Sequence, residues 1–155
     1  MIDTPEVLTT QPVVCAKIYQ IVPSTEIRSV MGKTLQELKT GIQDQGMTIT
    51  GPWFIHHINP PGKNFDFEAC FPVSGTFEPK GRIQPGEWPA TNVVRTVYRG
   101  GYEGLSAAWA EFIEWIKANG HVTEPDIWER YIAGPETGND SSQWQTELNL
   151  RLVDK

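Results

Sequence analysis

The chain has 155 residues and a net charge of −6; 39% of it is hydrophobic and 21% charged. Those values describe a folded chain, one domain or two small halves on a shared core, and exclude a disordered one. The surplus is acidic and no dense run of Lys and Arg opposes it, so binding DNA or RNA by neutralising phosphates is excluded, whereas a cationic ligand is electrostatically favoured.

No apolar run approaches the ~20 residues that cross a bilayer. The opening Met-Ile-Asp-Thr-Pro-Glu lacks the basic and then apolar character of a signal peptide. Cys15 and Cys70 stand apart, with no CxxC and no His at ligand spacing. They read as reduced, half-buried thiols of a cytoplasmic protein that holds no metal and no cofactor.

In chain order, residues 1–11 are a loose polar lead-in. Residues 12–22, rich in Val and Ile, predict a strand. Ser24 is the expected N-cap of a helix with Glu26 in its first turn, and Ile27, Val30, Met31, Leu35, Leu38 and Ile42 form its apolar stripe. Gly32 and Gly41 weaken that helix by about 1 kcal/mol each relative to Ala, and Gly46 ends it. After a turn at Thr50-Gly51-Pro52, residues 53–58 predict a strand and 59–63 a Pro/Gly loop. Residues 64–73 alternate, with Phe65, Phe67, Ala69 and Phe71 on one side and Asp66, Glu68 and Cys70 on the other.

Residues 74–88 carry enough Gly and Pro to read as the linker, with room for a short edge strand at 75–77 or 81–83. A strand at 89–98 and a break at Gly100-Gly101 follow. The second helix covers 102–119, striped by Leu105, Trp109, Phe112, Ile113 and Ile116 and closed by Gly120. Pro125 opens a strand through Ile132, residues 134–140 form a loop, and the last strand follows Trp144.

That last strand organises the reading. Thr146, Leu148, Leu150 and Leu152 fall on one side, and Gln145, Glu147, Asn149 and Arg151 on the other. A carboxylate in mid-strand must face water, pair with a cation or line a cavity. The order strand, helix, Gly cap, Pro turn, strand, loop, strand with a central Glu occurs twice: Gly46 answers Gly120, Pro52 answers Pro125 and Glu68 answers Glu147. The expected fold is therefore α+β, two βαββ halves (12–73 and 89–153) related by a pseudo-two-fold axis. Its sheet is mainly antiparallel, with both helices on one face and a ligand cleft on the other. Strand parity turns Glu68 and Glu147 toward the cleft.

Five segments in this order carry a resemblance: Gly51-Pro52-Trp53-Phe54, Phe67-Glu68-Ala69-Cys70-Phe71-Pro72-Val73, Tyr98-Arg99-Gly100-Gly101-Tyr102, Trp128-Glu129-Arg130-Tyr131-Ile132 and Trp144-Gln145-Thr146-Glu147-Leu148. Together they resemble the GyrI-like small-molecule-binding domains, which also form the effector-binding half of some bacterial transcription activators. The resemblance implies the duplicated fold, a pocket lined by aromatic side chains, and a last-strand glutamate that meets lipophilic cations. Glu147 matches that glutamate, and Tyr131 the aromatic of the strand before it. A stand-alone subgroup of similar length is associated with hydrolysing the cyclopropane of DNA-alkylating natural products, using a carboxylate among tryptophans. The chain departs from the regulators in leaving no residues for a helix-turn-helix, and it has His56-His57 where a Tyr is common on the third strand.

Each candidate has a plain alternative. Glu147 is a pocket acid or a solvent-facing one. Glu68 holds the symmetric place. Glu129 shares a face with Tyr131 and is a second pocket acid or an ion-pair partner of Arg130 or Arg95. Tyr131 is a pocket wall or a core tyrosine, and Trp109 a core residue or the roof of the pocket. Trp53, Trp88 and Trp144, at loop–strand junctions, are rim aromatics; Trp115 lies off the helix stripe, and Trp128 faces the helices. His56 and His57 point to opposite faces and do not share a metal, which leaves His57 as a polar group on the cleft side. The leading expectation is a binder of a hydrophobic, cationic or aromatic compound. One rival is a hydrolase in which Glu147, with Tyr131, activates water or protonates the ligand. The other is an interaction module, such as a topoisomerase inhibitor, acting through a separate regulator or as a homodimer.

Overall fold

The computed structural model describes residues 2–59, 62–134 and 137–153. The expected loop residues Pro60, Pro61, Pro135 and Glu136 lie outside them, as do Met1, Asp154 and Lys155. The described residues form an α+β fold of eight strands and two α-helices: β1 (Glu6–Thr9), β2 (Val13–Pro23), α1 (Ile27–Asp44), β3 (Phe54–Asn59), β4 (Asn64–Pro72), β5 (Gln84–Trp88), β6 (Asn92–Arg99), α2 (Leu105–Ala118), β7 (Thr123–Ala133) and β8 (Gln145–Leu152). They group into a first unit, Gln11–Ala90, and a second, Met1–Thr10 with Thr91–Lys155. Within the first unit the antiparallel strand order is β3-β4-β2-β5; within the second it is β7-β8-β6-β1.

Two segments expected to be irregular are strands. The lead-in supplies β1, paired along β6 from Glu6↔Arg95 to Thr9↔Asn92, with Ile2 bridging Tyr98. The linker supplies β5, paired along β2 from Val13↔Trp88 to Lys17↔Gln84, rather than at 75–77 or 81–83. Each hydrogen-bonds within its unit to a single neighbour, a place where Pro85 is tolerated and where four or five residues suffice. Pieces that short carry no readable period.

The helices close as their sequences predict. Gly46 (φ 68°) and Gly120 (φ 73°) adopt the left-handed conformation that glycine enters freely, and the next residue bonds back: Met47 N–H to Ile42 carbonyl and His121 N–H to Ile116 carbonyl, both 3.1 Å. The start differs from expectation. Ser24 does not cap α1; it lies in a single 3-10 turn before it, and its hydroxyl donates to the Gly62 carbonyl instead. Gly41 is a fitted position rather than a weak one, because a Cβ there would stand 2.6 Å from Ile83 Cδ1. Its absence lets Ile83 and Phe77 close against α1, both deeply buried.

In the first unit Ala16, Ile18 and Gln20 stand opposite Phe71, Ala69 and Phe67. The Thr34 side chain of α1 is hydrogen-bonded to the Gln20 amide at 3.1 Å, which marks this as the helix side. In the second unit Val94, Tyr98, Leu148 and Leu150 pack with Ala108, Phe112 and Ile116 of α2. Burying each larger apolar side chain contributes about 1.5–3 kcal/mol. Cys15 and Cys70 are fully rather than half buried, and burial pushes the Cys70 thiol well above its usual range.

Candidate functional site

Pleating turns alternate residues of a strand to opposite faces, so register decides which side chains meet. On β7 and β8 Arg130 stands opposite Glu147; on β6 and β8 Arg95 stands opposite Asn149. All four share the face away from α2. Arg130 Nη1 donates to both Glu147 oxygens, at 2.9 and 3.0 Å. Arg95 Nε lies 3.1 Å from Oε1 and donates to Asn149 Oδ1 at 2.8 Å, while Asn149 Nδ2 donates to Oε1 at 3.1 Å. Burial lowers the pKa of Arg95, opposed by the Glu147 charge and aided by that of Arg130. Of the three outcomes open to the mid-strand carboxylate, pairing with a cation is the one observed, and the cations belong to the chain. Glu147 is 7% exposed, and its charge is met by Arg130 and Arg95.

Tyr131 is on the other side. It stands opposite Thr146, and Glu129 opposite Leu148, which packs with Phe112 of α2. Glu129 and Tyr131 do share a face, as expected, but the strands separate them from Glu147, so the expected pair Glu147–Tyr131 is not assembled. Trp128, opposite Asn149, lies on the Glu147 side and not under the helix.

The helix-facing side collects an acid among rings. Glu129 is 7% exposed, and the Tyr131 hydroxyl donates to its Oε2 at 3.3 Å. Tyr102, in the 3-10 turn before α2, meets Tyr131 edge-on at 5.9 Å and lies tilted on Trp144 at 5.1 Å. The Trp144 indole donates to the Gly138 carbonyl at 3.1 Å, and the Trp144 carbonyl accepts from the Gly100 N–H at 3.0 Å. Trp109 packs on Phe112 at 5.8 Å against the same core. Burial, with the adjacent Glu129 charge, pushes the Tyr131 hydroxyl well above its usual pKa, so it stays a neutral donor. Tyr98 is pinned by donating to the Gly101 carbonyl at 2.8 Å.

Two residues of this cluster stand in the segments that carry the resemblance but were not among the site candidates. Tyr102 sits in a turn and lacks periodicity. Thr146 is fully buried, and its signal was that it is the polar member of a stripe otherwise made of leucines.

In the first unit Glu68 receives Lys17 Nζ at 2.6 Å and His56 Nδ1 at 3.1 Å. The His56 bond and the Lys17 charge hold its carboxyl below the usual value against the opposing effect of burial. His56, and not His57, shares the Glu68 face; His57 stands opposite Phe67 on the helix side and packs near Phe65. Trp88 meets His56 at 4.6 Å and Phe54 at 5.8 Å. Trp53 is half buried, just before β3. Among the described residues, no three His, Cys, Asp or Glu side chains gather at metal-binding spacing.

Residues 4–153 match the GyrI-like small molecule binding domain. The chain belongs to that family. No curated protein sequence matches it. Among solved structures, the EcmrR C-terminal domain is similar at TM-score 0.85 and 23% identity, over 98% of both chains. The EcmrR chain in its DNA complex is similar at TM-score 0.83 and 23% identity; the match covers 97% of this chain but 58% of that one. A hydrolase from Listeria innocua gives TM-score 0.70 at 12% identity, over 96% and 91% of the two chains. SAV2435 bound to tetraphenylphosphonium gives 0.61 at 10%, over 97% and 94%. At these identities the likeness is one of fold. No helix of the described residues in this GyrI-like chain is long and apolar enough to cross a membrane.

Proposed function

We propose that this GyrI-like domain is a cytoplasmic binder of a hydrophobic cation, taken on the helix-facing side of its second unit. Glu129 would select the charge, and Tyr131, Tyr102 and Trp144 would supply the rings. The observation that carries the reading is the Glu129 carboxylate, 7% exposed and hydrogen-bonded by Tyr131, next to an unbroken chain of aromatic contacts. A cation over such faces gains ~0.5–2 kcal/mol, and a carboxylate in low dielectric favours positive charge further. Glu147, already ringed by its own arginines, serves the frame instead. That SAV2435 was solved with tetraphenylphosphonium supports the ligand class. The acidic surplus disfavours phosphate contacts by this module itself, and the DNA complex belongs to the longer EcmrR chain.

The test is a calorimetric titration with tetraphenylphosphonium. Glu129→Gln should weaken binding about tenfold or more and leave a neutral aromatic of similar size unaffected. Unchanged cation affinity in a folded Glu129→Gln protein sinks the reading.

The buried Glu129–Tyr131 pair also favours a second reading, a hydrolase in which Glu129 takes a proton from water while neutral Tyr131 donates one to the opening electrophile. A hydrolase from Listeria innocua shares the fold. Incubation with a spirocyclopropane alkylator separates the readings: ring-opened product that disappears with Glu129→Gln makes the protein an enzyme, and saturable binding without product makes it a binder.

A further inference from the structure

Thr146 is completely buried, and among the described residues its hydroxyl has no hydrogen-bond partner. Its position is specific. It stands opposite Tyr131 on one flank and Tyr98 on the other, all three on the helix-facing side of β6, β7 and β8. Neither neighbouring phenol bonds it: the Tyr131 hydroxyl donates to Glu129 and the Tyr98 hydroxyl to the Gly101 carbonyl. A hydroxyl left without a partner in low dielectric is costly, and most buried ones have partners. An apolar side chain of the same shape, such as valine, would suit the leucine stripe better. The polar atom is therefore best explained by something that enters beside Glu129.

We propose that Thr146 is a specificity-determining residue of the Glu129 site, and that the ligand is a protonated amine carrying an N–H rather than a quaternary cation. Glu129 as a carboxylate only accepts hydrogen bonds, and the Thr146 oxygen can accept as well. A cation with more than one N–H, such as a primary ammonium, satisfies both; a quaternary nitrogen or phosphonium offers charge and leaves the hydroxyl unmet. This inference rests on the binding reading above and adds the chemistry of the cation.

The experiment compares a lipophilic primary amine, protonated at neutral pH, with its N,N,N-trimethyl quaternary counterpart by calorimetry. Wild type should bind the N–H form tighter by on the order of tenfold. Thr146→Val should bring the two within about twofold by weakening only the amine, and Thr146→Ser should keep the preference. Ligand-free Thr146→Val should melt about 2–4 °C higher, because an unmet buried hydroxyl is gone; Thr146→Ala replaces it if valine does not fold. Equal or tighter binding of the quaternary ion, or a preference that survives loss of the hydroxyl, overturns the proposal while leaving Glu129-dependent binding intact. If neither cation binds, the Glu129 reading fails and this one with it.

Discussion

Under its helix the first unit sets Ile55, His57 and Phe67 side by side, where the second sets Glu129, Tyr131 and Thr146. The matching is fixed by register on the far side. Glu68 stands opposite His56 and Glu147 opposite Arg130. Lys17 and Arg95 hold the same place one pleat along, opposite Cys70 and Asn149. Both units thus tie an acid to two basic side chains on the face away from the helix. A feature present in both units explains itself as frame, holding three strands in register. The acid, phenol and hydroxyl occur on the helix side of only one unit, and the ligand reading rests on that difference.

If the charged knots are frame, breaking them should cost stability in proportion to burial. Arg130→Ala leaves Glu147, with a 9% exposed side chain, held by Arg95 and Asn149 alone. The expected loss is about 3 kcal/mol, less than for a wholly buried pair because the Arg130 side chain is 31% exposed. His56→Ala should cost about 1 kcal/mol, since the Glu68 side chain is more exposed than that of Glu147, 16% against 9%, and Lys17 stays 2.6 Å from it. Urea midpoints decide it, and equal losses would break the ranking of the two knots.

The next largest effect probes the ring side. A Cβ at Gly104 would lie 2.1 Å from Tyr98 Oη and 3.0 Å from its Cζ. Gly104→Ala should therefore cost about 2 kcal/mol and weaken cation binding, because it moves the turn that carries Tyr102.

How much of this was legible follows from which features need one strand and which need two. The helix ends at Gly46 and Gly120, the Phe65–Phe67–Ala69–Phe71 face and the Leu148–Leu150 face are properties of single segments, and period and turn chemistry expose them. That Glu129 and Tyr131 lie across from Glu147 is a property of β7 against β8. A slip of one residue reverses it, and the register shifts at each end of the β7 pairing, beyond Thr123 and beyond Tyr131, defeat counting from Pro125. His56 and His57 exchanged their expected roles for the same reason. Arg130 and Arg95 were expected as partners of Glu129 and pair with Glu147 instead, since their approach depends on pairings to two different neighbours. Short edge strands escape because Val7-Leu8, or a segment holding Pro85 and Gly86, gives too few alternations to count.

The smallest effect tests the frame through pH. Glu68 has its carboxyl held below the ordinary value by the His56 bond and the Lys17 charge, with burial opposing. A carboxyl with a lower pKa folded than unfolded binds its proton less tightly in the fold. Its contribution is thus complete above the unfolded value of about 4.3 and disappears as pH falls through the folded one. Glu68→Gln should cost about 1 kcal/mol near pH 7, a modest figure because solvent reaches the Lys17 end of the pair. The gap between the variant's and the wild type's stability curves should then close as pH drops below 4. Curves that run parallel down to pH 3 would mean that the Glu68 knot contributes packing alone, and the likeness between the two units would be one of shape without shared electrostatics.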